Sequence, residues 1–412
     1  MEECEEKLAL WGGEKYRTKS FAKWPEFDER DINGLLEVVN SGIWSRANYT
    51  SHLKFTYETE STIGRFEQKL CEYEQTKHGI FVNSGTSALH LTFEALDLAG
   101  GSEVITTPYT FFATAAPLYK SGLKPVFTDI DQYGNLDPDK VEACITEKTK
   151  AILLMHCAGY PCKMNRFREI CDKHHLYLVQ DCAHAVTSTY LGKPVASYGD
   201  ISIFSFEASK TLNSGEGGFV TTSSDELFEK LFSIHSCGRP FGGDWRSHVH
   251  MCENYRPSEF QGIIATTQLE KLSEQTERRN FAKTYLDEAL KDHPMVETIP
   301  LEGAATCHGN YSYVLRVRDG SKKSLTGKRL AIYLETEGIP CNSGYKKLVY
   351  DIDFAKQFTA KEERNEIKER CPIANDFLKY AIWLPQTILI SPKEDLDDVI
   401  GVINKIHRCL SK

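Results

Sequence analysis

A lysine on a turn between two apolar runs is the first residue of this sequence with an evident chemical use. Lys210 lies in the stretch Ser205-Phe206-Glu207-Ala208-Ser209-Lys210-Thr211-Leu212-Asn213-Ser214-Gly215-Glu216-Gly217-Gly218. Its primary amine can condense with an aldehyde to a Schiff base, and desolvation beside other cations would lower its pKa toward the nucleophilic form. Alone it says little, because most lysines are solvated. Asp181 closes the run Leu176-Tyr177-Leu178-Val179-Gln180-Asp181, where a carboxylate can cap a helix or pair with a protonated ring nitrogen. His184, three residues on, is either a structural histidine or a contact for a ring oxygen. Asn83-Ser84-Gly85-Thr86-Ser87 offers N–H groups, hydroxyls and a helix N-terminus, the parts of a phosphate cup, although a plain capped helix would look the same. Ser205 could add a hydroxyl to that cup. Phe111, in Tyr109-Thr110-Phe111-Phe112-Ala113-Thr114, could stack on an aromatic ring or pack in a core. A phosphate cup, a ring stacker, a pyridinium partner and a Schiff-base lysine fit one ligand together, pyridoxal 5'-phosphate.

Positioning such a set requires strands that end at a common edge. Short apolar runs at 79–82, 104–106, 125–127, 151–155, 176–181, 201–206 and 218–222 read as strands, with helical spacing over 58–70, 87–98 and 113–121 between them. Strands separated by helical stretches imply a mostly parallel sheet flanked by helices, since parallel neighbours need crossover connections. In such α/β sheets ligands sit at the C-terminal ends of the strands. After about Gln268 the texture changes to a long charged helix through Leu290, a strand over 310–317, a helix over 325–338 and a terminal helix over 394–410. The expected division is an N-terminal segment (1–60), a large cofactor-binding α/β domain (61–268) and a small C-terminal α+β domain (269–412).

The 412 residues carry 49 Lys and Arg against 58 Asp and Glu, a net charge of -9, and 41% are apolar. That balance suits a compact globular chain and gives no overall field for nucleic acid or anionic lipid. Thirteen cysteines without a CxxC pair read as reduced thiols rather than as metal ligands. The acidic Met1-Glu2-Glu3-Cys4-Glu5-Glu6 is unlike a secretory signal and no run spans a membrane, so a cytoplasmic location with no nucleic-acid, membrane or metal partner is expected.

The motifs Asn83-Ser84-Gly85-Thr86, Pro108-Tyr109-Thr110-Phe111, Asp181-Cys182-Ala183-His184-Ala185 and Ser205 through Gly218 resemble those of the fold-type-I pyridoxal-phosphate aminotransferases. Within them, the sequence is similar to the DegT/StrS family of keto-sugar and keto-cyclitol aminotransferases from about Leu8 to Leu410. The resemblance implies that Lys210 forms the Schiff base, Asp181 meets the pyridine nitrogen, Phe111 stacks, His184 contacts the ring oxygen, and Gly85, Thr86 and Ser205 hold the phosphate. Asn254, in Glu253-Asn254-Tyr255-Arg256, matches an asparagine that reaches the cofactor phosphate of a neighbouring subunit, which implies a homodimer with shared active sites. Leu8 to Gly13, His235 to Pro240 and Cys371 to Asn375 resemble the branch of scyllo-inosose aminotransferases and 3-amino-5-hydroxybenzoate synthase. The implied reaction moves an amino group from L-glutamine or L-glutamate to a keto-sugar or keto-cyclitol. The alternatives are a dehydrating, aromatising synthase and a non-catalytic cofactor-binding protein. A nicotinamide oxidoreductase lacks its GxGxxG after an early strand.

Several features depart from the family. Glu207 stands where many relatives carry His or Gln. Tyr49, His52, Phe55 and Tyr57 decorate a longer 47–61 segment. Apart from these departures, Arg239, Arg246, His248, His250 and Arg256 make a locally basic stretch that suits a donor carboxylate or a substrate phosphate, although each alone reads more readily as part of a solvated loop face.

Overall fold

The computed structural model describes residues 6–46, 61–244 and 246–411; Tyr49, His52, Phe55 and Tyr57 lie outside the described residues. Nine strands precede residue 223: β1 (His78–Val82), β2 (Glu103–Thr106), β3 (Lys124–Phe127), β4 (Thr149–Met155), β5 (Tyr177–Asp181), the short β6 (Thr189–Tyr190) and β7 (Lys193–Pro194), β8 (Ile201–Ser205) and β9 (Gly218–Thr222). Seven of them form one sheet in the order β1-β9-β8-β5-β4-β2-β3. The pairings from β8 through β5, β4 and β2 to β3 are parallel. Only β9 runs antiparallel to its neighbours, because the 206–217 loop joins it to β8 without a crossover helix. That loop carries Lys210, so the reversal of β9 fixes the lysine at the C-terminal edge of β8.

Alternation along the strands sends side chains into two cores. Phe81, Ile105, Ile152 and Leu154 pack on one face with Ile63, Phe66 and Leu70 of the helix Thr62–Glu74. Ile80, Val82, Val104 and Leu153 pack on the other with Leu91 of the helix Gly85–Leu96. Burial on both faces explains why these strands read as unbroken apolar runs.

Three further strands, β10 (Val296–Thr298), β12 (Ser312–Val317) and β13 (Ala381–Pro385), make a separate antiparallel sheet, while β11 (Ala305–Cys307) pairs with β6. The strand expected from 310 begins at Ser312, since Asn310 takes a left-handed φ of 52° that extended pairing excludes. The expected long helix starts earlier than 268 and runs Glu259–Leu290 without a break. Its first half packs on the helices Glu29–Ser41 and Thr62–Glu74, and its last turns send Ala282, Leu286 and Leu290 into the core of the small sheet. No described helix is long and apolar enough to cross a membrane.

Candidate active site

At the C-terminal edge of the main sheet a cavity of about 560 Å3 opens between the two sheets. Gly85, Thr86, Phe111, Asp181, His184, Ser205 and Lys210 all line it. Seven of the eight expected site residues therefore meet at one place, although they come from well-separated parts of the chain.

The turn after β1 is set by Ser84, whose Oγ accepts the Ser87 N–H at 3.0 Å and caps the helix Gly85–Leu96. The first N–H groups of that helix, including those of Gly85 and Thr86, have no partner in the preceding turn and are available to an anion. The turn is backed by close contact. A Cβ at Gly85 would stand 2.7 Å from the Ser205 Cβ, and one at Gly218 would stand 2.3 Å from the Ser84 carbonyl oxygen. Only glycine lets the end of β9 press the cup against Ser205.

Asp181 is buried at the end of β5. Its Oδ2 accepts the Thr114 hydroxyl at 2.8 Å and its Oδ1 the Ala183 N–H at 3.1 Å, and Thr114 is itself within 2.7 Å of the Thr110 hydroxyl. Burial pushes the Asp181 carboxyl above its ordinary range, and Thr114, Ala183 and Lys210 pull against it. Across the cavity, burial brings the Lys210 amine down to about 8, outweighing the attraction of Asp181 and Glu207. Its Nζ stands 4.3 Å from the centre of the Tyr311 ring.

The same tyrosine stacks on His184, ring centres 3.9 Å apart and 10° from parallel. Burial and the nearby Lys210 hold the His184 imidazole well below its usual pKa, so it is neutral at pH 7. Its Nδ1 is buried without a hydrogen-bond partner among the described residues, which a polar ligand atom can satisfy. Phe111 presents a ring that is 54% exposed. An anion-binding turn, a neutral imidazole, a buried carboxylate and a depressed amine around one cavity fit a phosphorylated pyridine aldehyde.

Asn254 does not join this group. It is exposed and pairs with Ser236 in a two-residue bridge. None of the basic side chains between 239 and 256 lines the cavity of its own chain. Arg246 pairs with Asp244, His248 with the Cys237 carbonyl, His250 with the Ser233 hydroxyl, and Arg256 with Ser236 and Cys237. Residues not anticipated from sequence are Thr114, Tyr311, Asn342, Tyr345, Lys346 and Trp383. Only Thr114 left a signal, as the second hydroxyl of a Thr-x-x-x-Thr pair, with Thr110 just before and Thr114 inside the helix Phe112–Lys120.

The model of the DegT/DnrJ/EryC1/StrS aminotransferase family matches residues 46–405. The spore coat polysaccharide biosynthesis protein SpsC of Bacillus subtilis is 32% identical over 93% of this chain and 95% of its own length. A putative L-glutamine:3-amino-2,3-dideoxy-scyllo-inosose aminotransferase of Micromonospora echinospora is 28% identical over 98% and 97%. A solved structure of 3-amino-5-hydroxybenzoic acid synthase superposes with a TM-score of 0.86 at 28% identity, covering 95% of this chain and all of that one. The protein thus belongs to the DegT/DnrJ/EryC1/StrS family and is a pyridoxal-phosphate-dependent aminotransferase with the fold-type-I architecture.

Proposed function

We propose that the enzyme transfers the amino group of L-glutamine or L-glutamate to a keto group of a cyclitol or of a sugar, free or nucleotide-linked. The observation that carries this reading is the opposition of Lys210 and Asp181 across one cavity, an amine brought down to about 8 by burial and a carboxylate held by Thr114 and Ala183. Pyridoxal phosphate, when bound, supplies an electron sink for the pair left behind when a proton leaves the amino-bearing carbon. Asp181 holds a proton on the ring nitrogen. Lys210 Nζ would serve as the base that takes a proton from the donor's α carbon and as the acid that returns one to the former keto carbon of the acceptor. The N-terminus of the helix Gly85–Leu96, with Thr86 and Ser205, binds the phosphate. Phe111 would stack on the ring, and His184 Nδ1, which is buried without a partner among the described residues, would bond the ring oxygen.

The acceptor wall is polar. Glu207, Glu216, Asn342 and Lys346 line the cavity beside Tyr311 and Tyr345, a set of donors and acceptors suited to a polyhydroxylated ring. Glu207 Oε2 accepts from the Ser209 N–H at 3.1 Å, whereas Oε1 makes no hydrogen bond among the described residues. We place the carboxylate against a hydroxyl or ammonium of the acceptor. No disulfide joins the described cysteines, in keeping with a reducing compartment such as the cytoplasm.

A homodimer belongs to the same reading. Phe111 at the cavity and its neighbour Phe112 are exposed, Asn254 is exposed and does not line its own cavity, and Ile32, Leu36 and Val39 line the outward face of the helix Glu29–Ser41. A second copy would cover these rings and bring its Asn254 to the phosphate. The resemblance to 3-amino-5-hydroxybenzoic acid synthase favours, as the second reading, an aromatising dehydration on the same cavity.

The deciding experiment is the visible spectrum of the purified protein with pyridoxal phosphate, before and after L-glutamine or L-glutamate and without any ketone. Bleaching of the bound cofactor's absorption by one of them establishes amino transfer and names the donor. A panel of ketocyclitols and keto-sugar nucleotides then restores the absorption only with the true acceptor class. Absorption that no donor bleaches, with turnover of an aminocyclohexenone in its absence, would favour the dehydrating synthase.

A further inference from the structure

The main-chain carbonyl of Lys210 is held by side chains remote in sequence that touch neither cofactor nor substrate in the reading above. Trp24, in the N-terminal segment, donates its indole N–H to that oxygen at 3.2 Å. Gln386, opening the short helix Gln386–Leu389 after β13, directs its amide nitrogen to the same oxygen at 3.4 Å and to the Ser209 carbonyl at 3.3 Å. The other end of that amide is also fixed. Its Oε1 accepts two hydrogens from Arg279, from Nε at 2.9 Å and from Nη2 at 2.6 Å. Arg279 sits within the long helix, is 1% exposed, and stands 5.0 Å from the Trp24 ring centre.

A guanidinium buried against a neutral amide is a costly arrangement, since desolvation is not offset by an opposite charge in contact. Burial brings the Arg279 pKa down to about 9 although Glu26 pulls the other way. What the arrangement supplies is direction. A guanidinium only donates, so it accepts one orientation of the Gln386 amide, oxygen toward Arg279 and nitrogen toward the lysine turn. The flipped amide would set donor against donor at one end and acceptor against acceptor at the other.

We infer that Trp24, Gln386 and Arg279 are positioning residues for Lys210, Arg279 setting the orientation of Gln386 and the indole and amide donors holding the lysine's peptide in place. The inference rests on the reading of Lys210 as the reacting amine. That amine must move between two carbon atoms on a flexible stem, and drift of its anchor by an ångström would spoil both approaches. The three side chains tie the anchor to the N-terminal segment, the long helix and the end of β13 at once.

Two substitutions separate positioning from plain structural support. Gln386→Glu keeps an acceptor for Arg279, now charged, and removes the donor to the Lys210 carbonyl. Trp24→Phe keeps a ring under the guanidinium and removes the indole N–H without adding charge. The first readout is the pH dependence of Lys210 acylation by trace acetic anhydride in the cofactor-free protein, followed by mass spectrometry. The second is the single-turnover rate of cofactor bleaching by the amino donor. In both variants we expect an unchanged thermal midpoint, an acylation midpoint moved up by about half a pH unit as the amine gains water, and a rate roughly tenfold to a hundredfold lower. Wild-type midpoints and rates in both variants would overturn the inference. So would a shift in Gln386→Glu alone, which is the effect of an added charge, or losses that only track lowered stability. The acylation arm needs no cofactor or donor, so it decides the inference even if the proposed amino transfer fails.

Discussion

Replacing Lys210 with methionine should make the cofactor-free protein more stable at neutral pH while removing its activity. The amine has a pKa of about 8 in the folded chain against 10.5 for an ordinary lysine, so the folded state binds that proton less tightly than the unfolded state does. Below pH 8 the amine is protonated in both states, and the full penalty of about 3 kcal/mol is present. As pH rises from 8 to 10.5 the folded protein releases the proton first, and the penalty shrinks to about 2 kcal/mol at pH 9 and to nothing above about pH 11. The attractions of Asp181 and Glu207 are already contained in the value of about 8. Methionine loses the cation's contact with the Tyr311 ring, worth about 1 kcal/mol, which leaves a net gain of about 2 kcal/mol at pH 7. Urea unfolding of both cofactor-free proteins at pH 7, 9 and 10.5 measures it. A variant no more stable than the parent at pH 7, or a gain that persists undiminished at pH 10.5, would refute the argument that burial of a charged amine dominates here.

Three further outcomes are expected. Asp181→Asn should keep the Thr114 and Ala183 contacts but slow the proton transfers by roughly a hundredfold to a thousandfold, the range of one strong electrostatic contact; unchanged stopped-flow rates would remove Asp181 from the chemistry. Lys210→Ala and Asn254→Ala should each be nearly inactive alone, yet a refolded equimolar mixture should recover about a quarter of wild-type sites, because half of the dimers would pair one intact lysine with one intact partner asparagine. No recovery, with dimers confirmed by sedimentation, would place Asn254 outside the shared site. Glu207→Gln should leave the donor half-reaction within about twofold and lower kcat/KM roughly tenfold for an amino-bearing keto-cyclitol, the value of one charge-assisted hydrogen bond, with a smaller loss for its hydroxyl counterpart; equal effects on both acceptors would deny it a role in selection.

The main sheet was legible because a parallel sheet buried on both faces writes its strands as unbroken apolar runs, as in Ala151 to Met155, and because loops at its C-terminal edge concentrate unusual residue types such as Asp181 and Lys210. The helix Glu29–Ser41 was not legible. Asp31, Gly34 and Val38 face inward while Ile32, Leu36 and Val39 face out, so apolar residues lie on both sides and blur the period. Tyr311 and Trp383 were hidden for another reason: β12 and β13 are far apart in sequence, and only their antiparallel register, with Val314 opposite Trp383, brings them to the site. The basic stretch from 239 to 256 does not line the cavity of its own chain, and of its charges Arg246 pairs with the neighbouring Asp244. A cluster of like residues in sequence does not reveal which partners they already have.

The origin of each side chain in the cavity bears on how substrate choice can change. Groups assigned to the cofactor come from the ends of β1, β5 and β8, where a shift of one strand would disturb two cores. Groups proposed to face the acceptor come largely from Tyr311 and the loop with Asn342, Tyr345 and Lys346; the two tyrosines pack against the cluster of Tyr109 and Trp383, while Asn342 and Lys346 are exposed. Such loops tolerate substitution far better than strand ends do. Glu207 breaks this division, since it lies three residues from Lys210 yet lines the cavity with one carboxylate oxygen making no hydrogen bond among the described residues. A change of acceptor engineered only in the 342–346 loop would leave that carboxylate in place, and any substrate with an anionic group on that side would still meet it. On the proposed roles, exchange of specificity requires Glu207 to change together with the loop, whereas donor chemistry, assigned to Lys210 and Asp181, should survive both changes.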